Sequence, residues 1–152
     1  MLLTLNFKET LLNDCKKVLN ERLENANSAM QAAQEAANGE EKSSAGDKYE
    51  TSRAMGHRDR DMYARQLLEA KNELQKLDKI KLESSEFIKT GSLIEIGNTL
   101  YFIATGLGKL VISDMMVIVI SKESPLAKSI FGKKINDEIF FNGKKLKIDN
   151  VV

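Results

Sequence analysis

Apolar residues from Leu12 to Ala37 recur at alternating intervals of four and three. The positions are Leu12, Leu19, Leu23, Ala26, Met30, Ala33 and Ala37, with Lys16 as the one break. That spacing is the seam of a helix packed against a single partner helix. Tyr63, Leu67, Ala70, Leu74 and Leu77 repeat it further along, and neither series contains Pro or Gly. The segment between them from Asn38 to Gly46, NGEEKSSAG, has turn composition. The pattern predicts a long antiparallel coiled-coil hairpin with its bend near residues 38–46. The seam uses Leu near its base and Ala at 26, 33 and 37 toward the bend. Small seam residues let two helices approach closely, so the far end is expected to be slim. A helix from about Phe7 to Ala37 would be about 45 Å long at 1.5 Å per residue.

After Leu82 the period changes to two. Candidate strands are Ser92–Ile96, Thr99–Ala104, Lys109–Ser113, Met115–Ile120, Glu138–Phe141 and Lys145–Ile148. Gly97-Asn98, Gly106–Gly108 and Asn142-Gly143 supply turns, the last a strong hairpin signal. Ser124 followed by Pro125 and LAKSIF reads as a short helix with Ser at its cap and Pro at its first position. The expectation is an α+β chain. Residues 1–83 form the hairpin, with an acidic tip near 38–50. Residues 84–152 form a small, mostly antiparallel β domain with one short helix, packed on the base of the hairpin.

Composition narrows the function classes. Hydrophobic residues at 42 % and charged residues at 30 % suit a folded domain. The net charge is +1, with −1 on residues 1–83 and +2 on residues 84–152. Neither half is a polycation, so a charge-based function must be local. Cys15 is the only cysteine, which excludes an intrachain disulfide and a Cys-cluster metal site. The start, MLLTLNFKETLL, lacks a basic segment and is interrupted by Lys8 and Glu9, so it reads as a poor signal peptide. The longest apolar run, Met115 to Ile120, is far short of a membrane span. The expected location is the cytoplasm, without membrane contact.

Candidate chemistry gathers in Ser43–Tyr63, SSAGDKYETSRAMGHRDRDMY. His57-Arg58-Asp59 spells a kinase catalytic triplet, but there is no Gly-rich loop and no room for that fold. Gly106-Leu107-Gly108-Lys109 fails the spacing of a phosphate loop and reads as a turn. His57, the only histidine, reads as a solvated helix residue. Asp47 and Glu50 remain. Three residues apart at a helix start, they share a face. Two converging carboxylates can bind a hard cation such as Mg²⁺, weakly unless a partner adds ligands. The same pair fits a capping box, with Glu50 folded back on its own helix end. Arg53, Arg58, Arg60 and Arg65 are interleaved with Asp59 and Asp61. They read either as a salt-bridged solvated face or as a contact surface for RNA phosphate or an acidic partner.

Taken together these residues resemble the bacterial Gre family of transcript cleavage factors. The features are the helical hairpin, Gly46-Asp47-x-x-Glu50 opening its second helix, and the segment Ile120–Ile148. That segment carries Ser124-Pro125-Leu126, Gly132-Lys133-Lys134, Asp137-Glu138 and Gly143. The resemblance implies an FKBP-like C-terminal domain without isomerase activity, docked on the outside of RNA polymerase. It also implies a hairpin inserted in the polymerase secondary channel, where Asp47 and Glu50 help hold a second Mg²⁺ shared with the polymerase. The chain would be no enzyme by itself. It would activate the polymerase to cleave the 3′ end of backtracked nascent RNA, with Arg53, Arg58 and Arg60 contacting RNA or polymerase. A monomer is expected. After Glu50 the chain reads Thr51-Ser52-Arg53-Ala54 where the family usually has Asn-Ala-Glu-Tyr, and Glu40 and Glu41 add acids to the turn. Inhibition of polymerase from the same channel is therefore a second reading, and a coiled-coil adaptor unrelated to transcription a third.

Overall fold

The computed structural model describes residues 3–40 and 46–152, with side chains described for residues 3–39 and 53–152. Two long helices open the chain, α1 (Leu5–Glu40) and α2 (Gly46–Asp78). Thr4 caps α1, its Oγ1 accepting from the N–H of Phe7 at 3.1 Å. The sequence predicts the bend near residues 38–46; Asn38, Gly39 and Glu40 instead belong to α1 and Gly46 opens α2, and residues 41–45 lie outside the described residues. The chain divides into two compact units, Lys16–Gln75 on one hand and Met1–Cys15 with Lys76–Val152 on the other.

The unit Lys16–Gln75 is a helical hairpin. Ala37 lies against Gly56 and Gln34 bonds to Arg60, so positions fall along α1 as they rise along α2. That is the antiparallel pairing that the apolar series predicts. Leu19, Ala26, Ala37 and Ala70 are buried, while Leu23, Met30, Ala33, Tyr63, Leu67 and Leu74 are half-buried. Half-burial is what a seam against a single neighbouring helix gives.

The other unit is built on six strands: β1 (Leu93–Ile96), β2 (Thr99–Ile103), β3 (Gly108–Ile112), β4 (Met115–Ile120), β5 (Glu138–Phe141) and β6 (Lys144–Val151). Their order is β3-β4-β2-β1-β6-β5. One pairing departs from the antiparallel expectation: β2 and β4 run parallel, with Leu100 opposite Val117 and Ile103 opposite Ile120. The cause is the connection after β2. It sets β3 down one strand-width away, and the β3–β4 hairpin then folds β4 into the gap. That hairpin turns on Ser113-Asp114, both at positive φ (51° and 63°). Such a turn is usually written with Asn-Gly, and the sequence places Ser113 in the strand instead. The turn that is written so, Asn142-Gly143 (52° and 75°), forms as expected between β5 and β6.

Alternate strand residues bury both faces of the sheet. One face carries Ile94, Ile96, Ile103, Ile139 and Ile148, packed with Ile88 and with Ala127 and Ile130 of α3 (Pro125–Ile130). The other carries Leu93, Leu100, Phe102, Val117 and Val119, each at most 3 % exposed. The helix ends in the same unit add buried Leu3, Leu11, Leu12, Cys15 and Leu77. Burial pushes the Cys15 thiol up to about 12, with Asp14 adding to it, so this thiol is inert.

Lys8, which in the sequence only interrupts an apolar run, is 1 % exposed. Its ammonium donates to the main-chain oxygens of Glu83 and Val152, both at 3.0 Å. Val152 is itself paired with Leu93 through both N–H and C=O, each at 2.9 Å. One lysine thus ties the start of α1, the segment after α2 and the last strand together. Desolvation first, then nearby Lys89, lower its pKa from 10.5 to about 8 against the opposing pull of Glu83.

Candidate functional site

The hairpin places the candidate residues along α2. Gly46 opens the helix, so Asp47 and Glu50 stand in its first turn. Their side chains, and therefore the choice between capping box and metal ligands, lie outside the described residues. A helix N-terminus favours carboxylates through its free N–H groups. Among the described residues no three His, Cys, Asp or Glu side chains converge on a common point. Asp47 and Glu50 alone would offer a hard cation two side-chain ligands, too few to hold it without further oxygens.

The core of the hairpin beside these residues is thinner than the apolar series indicates. Continuing the second series one heptad toward the bend reaches Gly56, which is buried. A Cβ at Gly56 would lie 2.9 Å from Ala37 Cβ, 3.3 Å from Ala37 Cα and 3.4 Å from the Ala33 carbonyl oxygen. The helices therefore approach as closely as a side-chain-free position allows. Nearer the base, Ala26 and Ala70 leave a side groove of about 480 Å³, rimmed by Arg22, Tyr63 and Glu69.

The arginines divide by role. Arg60 occupies the next seam position, in heptad phase with Leu67 and Leu74, and is only partly exposed. Its guanidinium donates to Gln34 Oε1 across the seam at 2.7 Å and to Asp61 Oδ1 at 3.0 Å. Arg60 is thus a cross-helix tie. Arg53, Arg58 and Arg65 are exposed. A double-mutant cycle of Arg60→Ala with Gln34→Ala is expected to give a coupling of about 1 kcal/mol in thermal or urea unfolding. No coupling would mean that the bond is not held in solution. His57 is half-buried instead of solvated, and its Nδ1 is buried without a hydrogen-bond partner among the described residues.

In the sheet unit, Ser124 caps α3, its Oγ accepting from the Ala127 N–H at 3.2 Å, with Pro125 at the first helical position. Gly132 (φ 80°) donates its N–H to the Ile88 carbonyl at 2.8 Å, and Lys133 O accepts from Ile88 N–H at 2.8 Å. The Lys134 N–H bonds Asp137 Oδ2 at 2.9 Å. Through their main chains these motif residues hold the segment leading into the sheet against the turn after α3.

No family model matches the sequence, and no curated protein matches it. The solved structures do give likenesses. One is to GreA factor homolog 1 (Gfh1) of Thermus thermophilus. It covers 90 % of this chain and 94 % of that one, at 15 % identity and a TM-score of 0.35. A second structure, of the transcription factor Gfh1, covers 90 % of this chain and 92 % of that one, at 14 % identity and a TM-score of 0.34. At this level of superposition the likeness carries no functional weight of its own.

Two residues that matter to the hairpin and its base escaped the sequence reading. Gly56 could have been found by extending the heptad past Tyr63, where glycine and Arg60 hide the seam. Lys8 could not, because nothing local distinguishes a lysine that will be buried from one that will be solvated.

Proposed function

We infer that this chain is a Gre-like transcription factor. It binds RNA polymerase, places its helical hairpin in the secondary channel and stimulates the polymerase's own cleavage of backtracked RNA. The observation that carries this reading is the narrowing of the hairpin at Ala37 and Gly56, just below a helix start bearing Asp47 and Glu50. A hairpin built for stability alone would fill that seam with leucine. A hairpin built to enter a confined passage gives up that packing for a small cross-section. On this reading the sheet unit would dock separately, on the outside of the polymerase.

Asp47 and Glu50 would supply two carboxylates toward a Mg²⁺ shared with the polymerase active site. When bound, such an ion activates water and neutralises charge developing at phosphate. Catalysis would belong to the polymerase, and this chain would act as its activator. No helix among the described residues is long and apolar enough to cross a membrane.

The test is a polymerase stalled on a backtracked, end-labelled transcript. Wild-type protein is expected to shorten the RNA from its 3′ end. Asp47→Ala is expected to bind the polymerase equally and to abolish the shortening. Binding by wild type with slowed elongation and intact RNA would assign the chain to channel inhibition, the reading that Thr51-Ser52-Arg53-Ala54 and Glu40-Glu41 favour. Absence of polymerase binding would overturn both.

A further inference from the structure

Residues on the face of α2 turned away from its seam should be solvated and polar. Instead, apolar and basic side chains alternate there at helical spacing: Met55, Arg58, Met62, Arg65 and Leu68. The three apolar members are 58 %, 38 % and 59 % exposed, among the most exposed large apolar side chains described in the hairpin. The five positions span 14 residues, about 20 Å of helix. None of them helps to close the seam, where Gly56, Ala70 and Leu77 are the buried residues described in α2.

The charge on this face is net basic: Arg58 and Arg65 outnumber Glu69, which shares the heptad position of Met55 and Met62. Asp61, beside it, is taken by Arg60 in an ion pair at 3.0 Å. Asp59 lies on the flank toward the seam and Glu69 stands at the base end. Neither Arg58 nor Arg65 has an ion pair among the described residues. The face thus offers two guanidinium groups set between three unbranched or γ-branched apolar side chains. A second copy of the chain would oppose arginine to arginine. Nucleic acid would satisfy the arginines but leave the methionines and leucine against water. A protein surface carrying carboxylates between apolar pockets satisfies all five, and Met with Arg is the composition enriched in such interfaces.

We propose that Met55, Arg58, Met62, Arg65 and Leu68 form a docking stripe for an acidic, apolar protein surface. Resting on the function inferred above, that surface belongs to RNA polymerase. It is a wall contact that orients the hairpin, distinct from the chemistry of Asp47 and Glu50.

The experiment measures equilibrium binding of the full chain to core RNA polymerase and, separately, to a single-stranded RNA oligonucleotide. Two variants are compared with wild type: Met55→Ser/Met62→Ser/Leu68→Ser, and Arg58→Glu/Arg65→Glu. All positions are exposed, and circular dichroism verifies folding. The proposal expects each variant to bind polymerase at least about tenfold more weakly than wild type. The charge-reversed variant should also lose most of the salt dependence. Wild-type affinity in both variants overturns the stripe and leaves the inferred function standing. Loss of RNA binding in parallel with polymerase binding reassigns the face to nucleic acid and overturns the protein contact. Failure of wild type to bind polymerase overturns the inferred function and this proposal together.

Discussion

Gly56→Leu is expected to destabilise the far half of the hairpin by about 3 kcal/mol, the upper end of the range for overpacking. Glycine inside a helix ordinarily costs about 1 kcal/mol relative to alanine, so adding a side chain should help wherever space exists. At Gly56 there is none. Even a Cβ would sit 2.9 Å from Ala37 Cβ, and the next two contacts are main-chain atoms that no rotamer change can move. The helices must separate, and Leu requires more separation than Ala. Amide hydrogen exchange should therefore accelerate around residues 30–39 and 53–63, while the sheet amides keep their protection. On the inferred function, the widened hairpin should also lose transcript cleavage while the sheet unit stays folded. Gly56→Ala should destabilise less, and Ala37→Gly in the same chain should restore it, because it removes the Cβ in the way. A Gly56→Ala protein more stable than wild type would show that the helices do not meet this closely.

Stability that rises with pH is the second large effect, and it rests on Lys8. Its folded pKa of about 8 lies below its ordinary value of 10.5. Between those values the unfolded chain holds a proton that the folded chain has released. Stability therefore increases with pH across that window, and the gain is lost again as pH falls through 8. The gap corresponds to about 3 kcal/mol. Many other lysines titrate in the same range, so the measurement is a difference. Wild type and Lys8→Met are unfolded with urea at pH 7, 9 and 10.5. Met keeps the volume and removes the charge, and Val152 O retains its bond from Leu93 N–H at 2.9 Å. Wild type should gain about 3 kcal/mol on the variant from pH 7 to pH 10.5. A difference independent of pH would mean that the Lys8 ammonium is solvated.

The chemistry of the helix start was legible in the sequence as a pair of alternatives and stays one. A carboxylate pair three residues apart at a helix N-terminus fits a cap and a metal site, because both need oxygens on one face, and the local pattern by itself favours the cap. Asp47→Ser in the cleavage assay separates them, since Ser caps a helix start as Asp does but does not replace its carboxylate toward a hard cation. The arginine group was legible only as a charged cluster. Its division into a seam tie at Arg60 and an outward stripe at Arg58 and Arg65 depends on which helix face each occupies. That follows from the heptad phase once Gly56 is recognised as a seam position.

By itself the sequence determined the elements. The four-three spacing marked both helices, because a seam against one partner repeats every 3.5 residues. Period-two runs marked all six strands, and Ser124-Pro125 and Asn142-Gly143 fixed a cap and a turn through local geometry alone. Only the tertiary structure decided three things. It set β2 parallel to β4, since strand neighbours depend on where a connection lands and not on the composition of either strand. It put Gly56 against Ala37, since an absent side chain gives no apolar signal. It buried Lys8, since its acceptors are main-chain oxygens 75 and 144 residues away. Local physics is written in neighbouring residues; contacts made across the chain are settled only when the chain has folded.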